Sequence, residues 1–124
     1  MISYPVYKVV HLFGIFLIFV SLGGVTLHSM NGGTREHPMR KKAAMTHGVG
    51  LVIALVSGFG LLARLGVMSP FPLWAALKLL IWLFMGGAIA LAYRAKGSVG
   101  KMLWWLFPLL GATAAYLAIF KPGS

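Results

Sequence analysis

Four long apolar runs fill nearly the whole of this chain, and they decide most of what it can fold into. They cover residues 5–27, 45–66, 72–93 and 101–120. Each holds roughly 20–23 residues, and about 20 are needed for a helix to cross a hydrocarbon layer ~30 Å thick. Inside that layer a backbone must satisfy its own hydrogen bonds, which a helix does and an open strand does not. The short second and third connections make helices two and three, and three and four, antiparallel neighbours. The expectation is an all-α fold, a single membrane-spanning antiparallel four-helix bundle. These 124 residues leave no room for a soluble module beside it. The first run exceeds the roughly 7–15-residue core of a secretory signal, and Lys8 is the one basic residue near its start. It therefore reads as a retained helix.

Charge sets the next bound. The net charge is +10, with Glu36 the single acidic residue. A basic balance of that size suggests nucleic acid until its placement is read. Arg35, Arg40, Lys41 and Lys42 fall between runs one and two, and Arg94, Lys96 and Lys101 between runs three and four. Lys8, Arg64 and Lys121 mark the other side. This asymmetry is the positive-inside pattern, which predicts cytoplasmic loops one and three and outward termini. Basic loops there favour anionic lipid headgroups over nucleic acid. The absence of cysteine excludes disulfides, thiolate metal sites and covalently attached c-type haem.

Against that background Lys78 stands out. It lies within the third run, where a charge costs several kcal/mol unless it is paired, neutralised or able to reach water. Glu36 sits in loop one, on the other side, so the chain encodes no obvious anionic partner. Trp74 and Trp82 flank Lys78 at i−4 and i+4, a spacing that permits cation–π contact worth about 0.5–2 kcal/mol. Three readings stay open. The lysine stem snorkels to the interface, its ammonium holds a carboxylate that arrives from outside the chain, or it loses its proton and serves as a proton acceptor or amine ligand.

Four histidines supply the remaining chemistry. His11 lies about two turns inside run one, His28 closes that run, His47 opens run two, and His37 is in the loop and expected to be solvated. His11 and Lys78 share an outward layer. His28 and His47 share a cytoplasmic one, roughly 25 Å away along helix one. Neutral imidazole is a common nitrogen ligand for iron, and bundle cores commonly hold such cofactors. His28 and His47 are candidates for one haem, and His11 for another or for the only one. Hydrogen-bonded packing and interfacial placement are the competing readings. The many helix glycines suit close packing, but Gly14, about one turn from His11, could leave a bare surface for a flat ligand. Pro108 removes an amide from helix four and is expected to kink it. No carboxylate pair or cluster exists for acid–base or metal chemistry.

Several of these segments together resemble the HemJ-type protoporphyrinogen oxidases and the wider CopD-like membrane group. They are Lys8-Val9-Val10-His11, Leu27-His28, Pro38-Met39-Arg40, Gly58-Phe59-Gly60-Leu61-Leu62, Trp74 with Lys78-Leu79, and Pro108 through Ile119-Phe120-Lys121-Pro122. The resemblance implies haem b, functional roles for His11 and Lys78, and a weaker third role for His28. Where that group carries a carboxylate before the helix-four proline, this chain has Trp105, Leu106 and Phe107; where it carries a late helix-three histidine, this chain has Ile89 and Ala90. The resulting expectation is a bacterial inner-membrane protein that binds b-type haem or porphyrin. His11 and His28 are the candidate metal ligands. Lys78 is the anion partner and, with His11, the candidate catalytic pair. His47 and Gly14 are further cofactor-binding candidates. Electron transfer or haem metabolism would follow, with a homo-oligomer or membrane redox partner. The alternatives are protoporphyrinogen IX oxidation itself, and a cofactor-free structural or accessory subunit.

Overall fold

The computed structural model describes residues 2–67 and 69–122. Four α-helices follow one another: α1 (Tyr4–Met30), α2 (Arg40–Leu65), α3 (Leu73–Ala92) and α4 (Gly97–Phe120). All four are long and apolar enough to cross a membrane. They form an antiparallel bundle in which α1 touches each of the others, while α3 packs against both α2 and α4. The chain is an all-α, multi-pass membrane-type bundle. The start of α1 and the end of α4 lie at one end, here the far face. The connections 31–39 and 93–96 lie at the other, the loop-one face.

Two helices begin earlier than their apolar runs. α2 starts at Arg40, five residues before residue 45, and α4 starts at Gly97, four before residue 101. An apolar run measures the hydrocarbon crossing, but backbone hydrogen bonding continues wherever the amides find acceptors. The Ala43 amide is already bonded to the Met39 carbonyl at 2.9 Å. The long stems of Arg40, Lys41 and Lys42 let the backbone be helical while their charges reach water.

Local signals set the ends. Pro5 falls in the first turn of α1, where a missing N–H costs nothing. Gly66 ends α2 in the left-handed region at φ 72°, and the Gly66 and Val67 amides close on the Ala63 and Leu62 carbonyls. Lys121 ends α4 at φ 48°, an unusual conformation for a residue with a side chain. Its ammonium donates to the Ala118 carbonyl at 2.7 Å and lies 5.5 Å from the centre of the Trp74 ring, tying the end of α4 to the start of α3. α4 runs helical through Pro108.

The main core joins Ile18, Leu22 and Val25 of α1 to Ala54, Met85, Ala88, Leu103 and Phe107. A smaller cluster of Leu62, Trp74, Ala75 and Leu117 sits toward the far face. Large apolar side chains point outward on every helix: Val20 is 64% exposed, Val52 61%, Leu80 62% and Trp105 73%. A bundle meant for water would not display such a continuous apolar surface; in a bilayer it meets lipid tails.

The tightest packing is between α1 and α2, and it depends on two glycines. A Cβ on Gly14 would stand 2.7 Å from the Ala54 amide nitrogen, and one on Gly50 would stand 2.8 Å from the Gly14 carbonyl oxygen. The two backbones are in contact at this crossing. Elsewhere glycine admits an aromatic ring of the chain itself. Tyr7 lies against Gly60, and Phe19 of α1 lies against Gly111 of α4.

Candidate functional site

The far-face layer is built from all four helices. His11 on α1 is half-buried, and its Nδ1 lies 3.0 Å from the Ser57 hydroxyl oxygen on α2. Ser57 is itself buried, and its own proton is spent on the Ile53 carbonyl one turn back. With that proton on Ile53, the Ser57 oxygen accepts from Nδ1–H, and a neutral ring so bonded leaves Nε2 unprotonated. That is the tautomer of a histidine that accepts a proton or ligates a metal through Nε2. The ring edge also rests beside Gly58, where a Cβ would come within 3.3 Å of Cε1.

Lys78 on α3 is half-buried and lies within electrostatic range of both His11 and Lys121. No carboxylate among the described residues faces it, because the one acidic side chain, Glu36, is paired with Arg40 at 3.0 Å on the loop-one face. The two indoles expected beside Lys78 are otherwise engaged. Trp82 donates its N–H to the Leu51 carbonyl at 3.0 Å, and Trp74 receives the Lys121 ammonium instead. The i±4 spacing brought the residues to one face, but the partners of the two indoles come from α2 and from the residue after α4. Gly14 does not lie open beside His11. Its bare surface is covered by Gly50, Ile53 and Ala54 of α2, as close packing requires.

The loop-one layer is organised differently. His47 is 4% exposed, and its Nε2 donates to the Met85 carbonyl of α3 at 2.9 Å. With Trp82 on Leu51, this makes a reciprocal pair of bonds: α2 gives one to the α3 backbone and α3 gives one back. His28 donates Nε2–H to the Thr34 carbonyl at 2.8 Å. Each of these Nε2 atoms therefore carries a hydrogen bonded to backbone, which leaves Nδ1 as the ring nitrogen without a hydrogen in each neutral imidazole.

His37, expected in solvent, is half-buried instead. Its ring centroid is 4.2 Å from that of His28, and its Nε2 is 2.7 Å from the Tyr93 hydroxyl at the end of α3. Arg35 lies 5.7 Å from the centre of the same Tyr93 ring. Loop one can fold this closely over α1 because Gly33 has no side chain; a Cβ there would enter the His28 ring. The Gly33 amide also caps the His28 carbonyl at 2.8 Å. Partial burial, reinforced by His28 and Arg40 and opposed by Glu36, holds His37 below the ordinary imidazole value of 6.5.

Ser57 and Tyr93 are the residues that sequence reasoning passed over. A hydroxyl in the middle of the run 45–66 marked Ser57. Nothing local marked Tyr93, which stands 56 residues from His37. Of the predicted site residues, His11 and Lys78 share a layer, while His28 and His47 are held by different neighbours. No cluster of three or more metal-type side chains occurs among the described residues. Compared with family models, curated proteins and solved structures, the chain finds no match.

Proposed function

We propose that this membrane bundle binds an amphipathic anion in its far-face layer, with b-type haem or a porphyrin as the ligand its residues suit best. The observation that supports this is the His11–Ser57 bond next to an uncompensated Lys78. Together they provide an imidazole whose Nδ1 is engaged by Ser57 and a cation that meets no carboxylate among the described residues. A porphyrin carrying propionates matches both. His11 would hold the metal through Nε2, Lys78 would pair with a carboxylate, and Ser57 would keep the ring in the ligating tautomer. When bound, iron would supply one-electron chemistry, and the apolar helices would exclude water around it. His28 is the remaining candidate ligand, through Nδ1 while Nε2 keeps its Thr34 bond.

Protein purified in detergent from haem-supplied cells tests the reading. The expected result is a Soret band that is lost in His11→Ala, shifted in Ser57→Ala and weakened in Lys78→Gln. A direct assay with protoporphyrinogen IX separates binding from oxidation, since colour alone reports no turnover. A second reading has its own support. The glycine surfaces at Gly14, Gly58, Gly60 and Gly111 are occupied by the chain's own atoms, as in a cofactor-free accessory subunit. A folded, colourless wild-type preparation that gains no Soret band on titration with haemin would establish that reading and remove the first.

A further inference from the structure

A cleft of about 360 Å³ opens where the last turns of α1 meet loop one and the first turns of α2. Its upper part is lined by His28, His37, Lys42 and Thr46, and its lower part by Val20 and Gly24. Lys42 is exposed at the mouth. The Thr46 hydroxyl makes no hydrogen bond to the described residues. A Cβ on Gly24 would meet nothing within 4 Å, so the floor is open. From Val20 to His28 is eight helical residues, roughly 12 Å of depth. Over that depth the lining changes from aliphatic to cationic and hydrogen-bonding.

We infer that this cleft holds the headgroup of an anionic phospholipid, with the phosphate at Lys42 and Thr46 and the start of an acyl chain over Val20 and Gly24. Three observations support that occupant. First, the polarity gradient runs in the same sense as that of a lipid molecule in its leaflet. A free inorganic anion would use the upper half and leave the lower half unexplained. Second, the charge is complementary. Arg35, Arg40, Lys41 and Lys42 crowd this face, and Glu36, the chain's single acidic side chain, is already paired with Arg40, so Lys42 meets no competing anion among the described residues. Third, the level is right. The cleft reaches from the first turns of α2, ahead of residue 45, down the membrane-crossing part of α1. Headgroup and first methylenes both fall inside it. The site lies at the opposite end of α1 from His11 and does not depend on what the far-face layer binds.

Native mass spectrometry of the full chain, exchanged from detergent into equal mixtures of phosphatidylglycerol and phosphatidylcholine, tests the inference. The expected result is one retained phosphatidylglycerol, favoured about fivefold over phosphatidylcholine, the factor that one lysine near an anionic headgroup supplies. Lys42→Gln should abolish the preference, and Thr46→Val should lower retention of both lipids, since both carry the phosphate. Lys101→Gln, basic and on the same face but outside the cleft, should leave it intact. Gly24→Leu should lower retention of both lipids by filling the floor. Equal retention of the two lipids by the wild type would overturn the inference. So would a loss in Lys101→Gln as large as that in Lys42→Gln, which would make the effect a diffuse surface attraction. Displacement of the lipid by millimolar inorganic phosphate would reassign the cleft to a free anion.

Discussion

The two ends of the bundle treat ionisable side chains in opposite ways. At the loop-one face, His28, His37 and His47 each find a hydrogen-bond partner within the chain: the Thr34 carbonyl, the Tyr93 hydroxyl and the Met85 carbonyl. The charges there stand in loops or first turns, where water and headgroups reach them. At the far face, Lys78 sits among apolar helices with an imidazole and a second lysine in range and no described carboxylate. Burial alone therefore does not distinguish a functional group from a structural one. His47 is the most deeply buried histidine, yet its bond to the Met85 carbonyl ties α2 to α3. What sets His11 and Lys78 apart is an imidazole beside a cation that no described carboxylate meets.

The most damaging way to test this contrast is to remove the frame on which both ends rest. Gly50→Leu forces a side chain into backbone only 2.8 Å away and should cost roughly 2–3 kcal/mol, read as a lowered thermal midpoint in detergent. Gly87→Leu is the control, because a Cβ there meets nothing within 4 Å. If the two variants melt alike, the α1–α2 crossing is not the close contact described.

Lys78→Met comes next. Replacing a half-buried cation that lacks a carboxylate by an apolar side chain of similar length should raise stability by about 1–2 kcal/mol in the ligand-free protein, a fraction of the penalty for a lysine at mid-membrane. Arg40→Met, in an exposed pair, should change stability by less than about 0.5 kcal/mol. A destabilised Lys78→Met would mean that the lysine already has the partner it needs, and the difference between the two ends would vanish.

His47 and Trp82 sharpen the structural side. Single changes, His47→Phe and Trp82→Phe, should each cost about 1 kcal/mol for a lost bond. The double variant should cost less than their sum, because either loss lets the two backbones separate. Strict additivity in the melting free energies would show that the two bonds act independently.

The smallest effect is expected from pH. Because His37 is held below 6.5, the unfolded chain takes up its proton first as pH falls. The contribution of the His28–His37–Tyr93 arrangement is therefore complete above pH 6.5 and is lost as pH drops through the folded value. The protection factors of amides in residues 31–39, which correct for the intrinsic slowing of exchange in acid, should fall on acidification, under the combined influence of His28, Arg40 and Glu36. Tyr93→Phe should move the midpoint of that fall, and an unchanged midpoint would dissociate the loop from the hydroxyl.

The four crossings could be read from the sequence because hydrophobic length is a one-dimensional property. Residues 5–27 and 72–93 differ from α1 and α3 by no more than three residues at either end. The start of α2 at Arg40 was not legible in the same way, since flexible basic stems conceal a helical backbone. The site was legible by type and not by pairing. The isolated lysine announced itself through composition, whereas the surroundings of Gly14 did not: glycine says that something comes close but not whether it is a ligand or another helix. Likewise, Trp74 and Trp82 were placed correctly beside Lys78 in register and then bonded elsewhere, because competition from Lys121 and Leu51 appears only once α4 and α2 are in position.

The crossing of Gly14 and Gly50 bears on how the protein is made. Backbone touching backbone across the first two helices asks nothing of residues still to be synthesised. The opening hairpin can therefore close as soon as both of its segments have entered the bilayer, and the second pair then docks onto a finished template through His47 and Trp82. The order of assembly follows the order of translation, and a truncated product ending after Gly66 would already hold its two segments together.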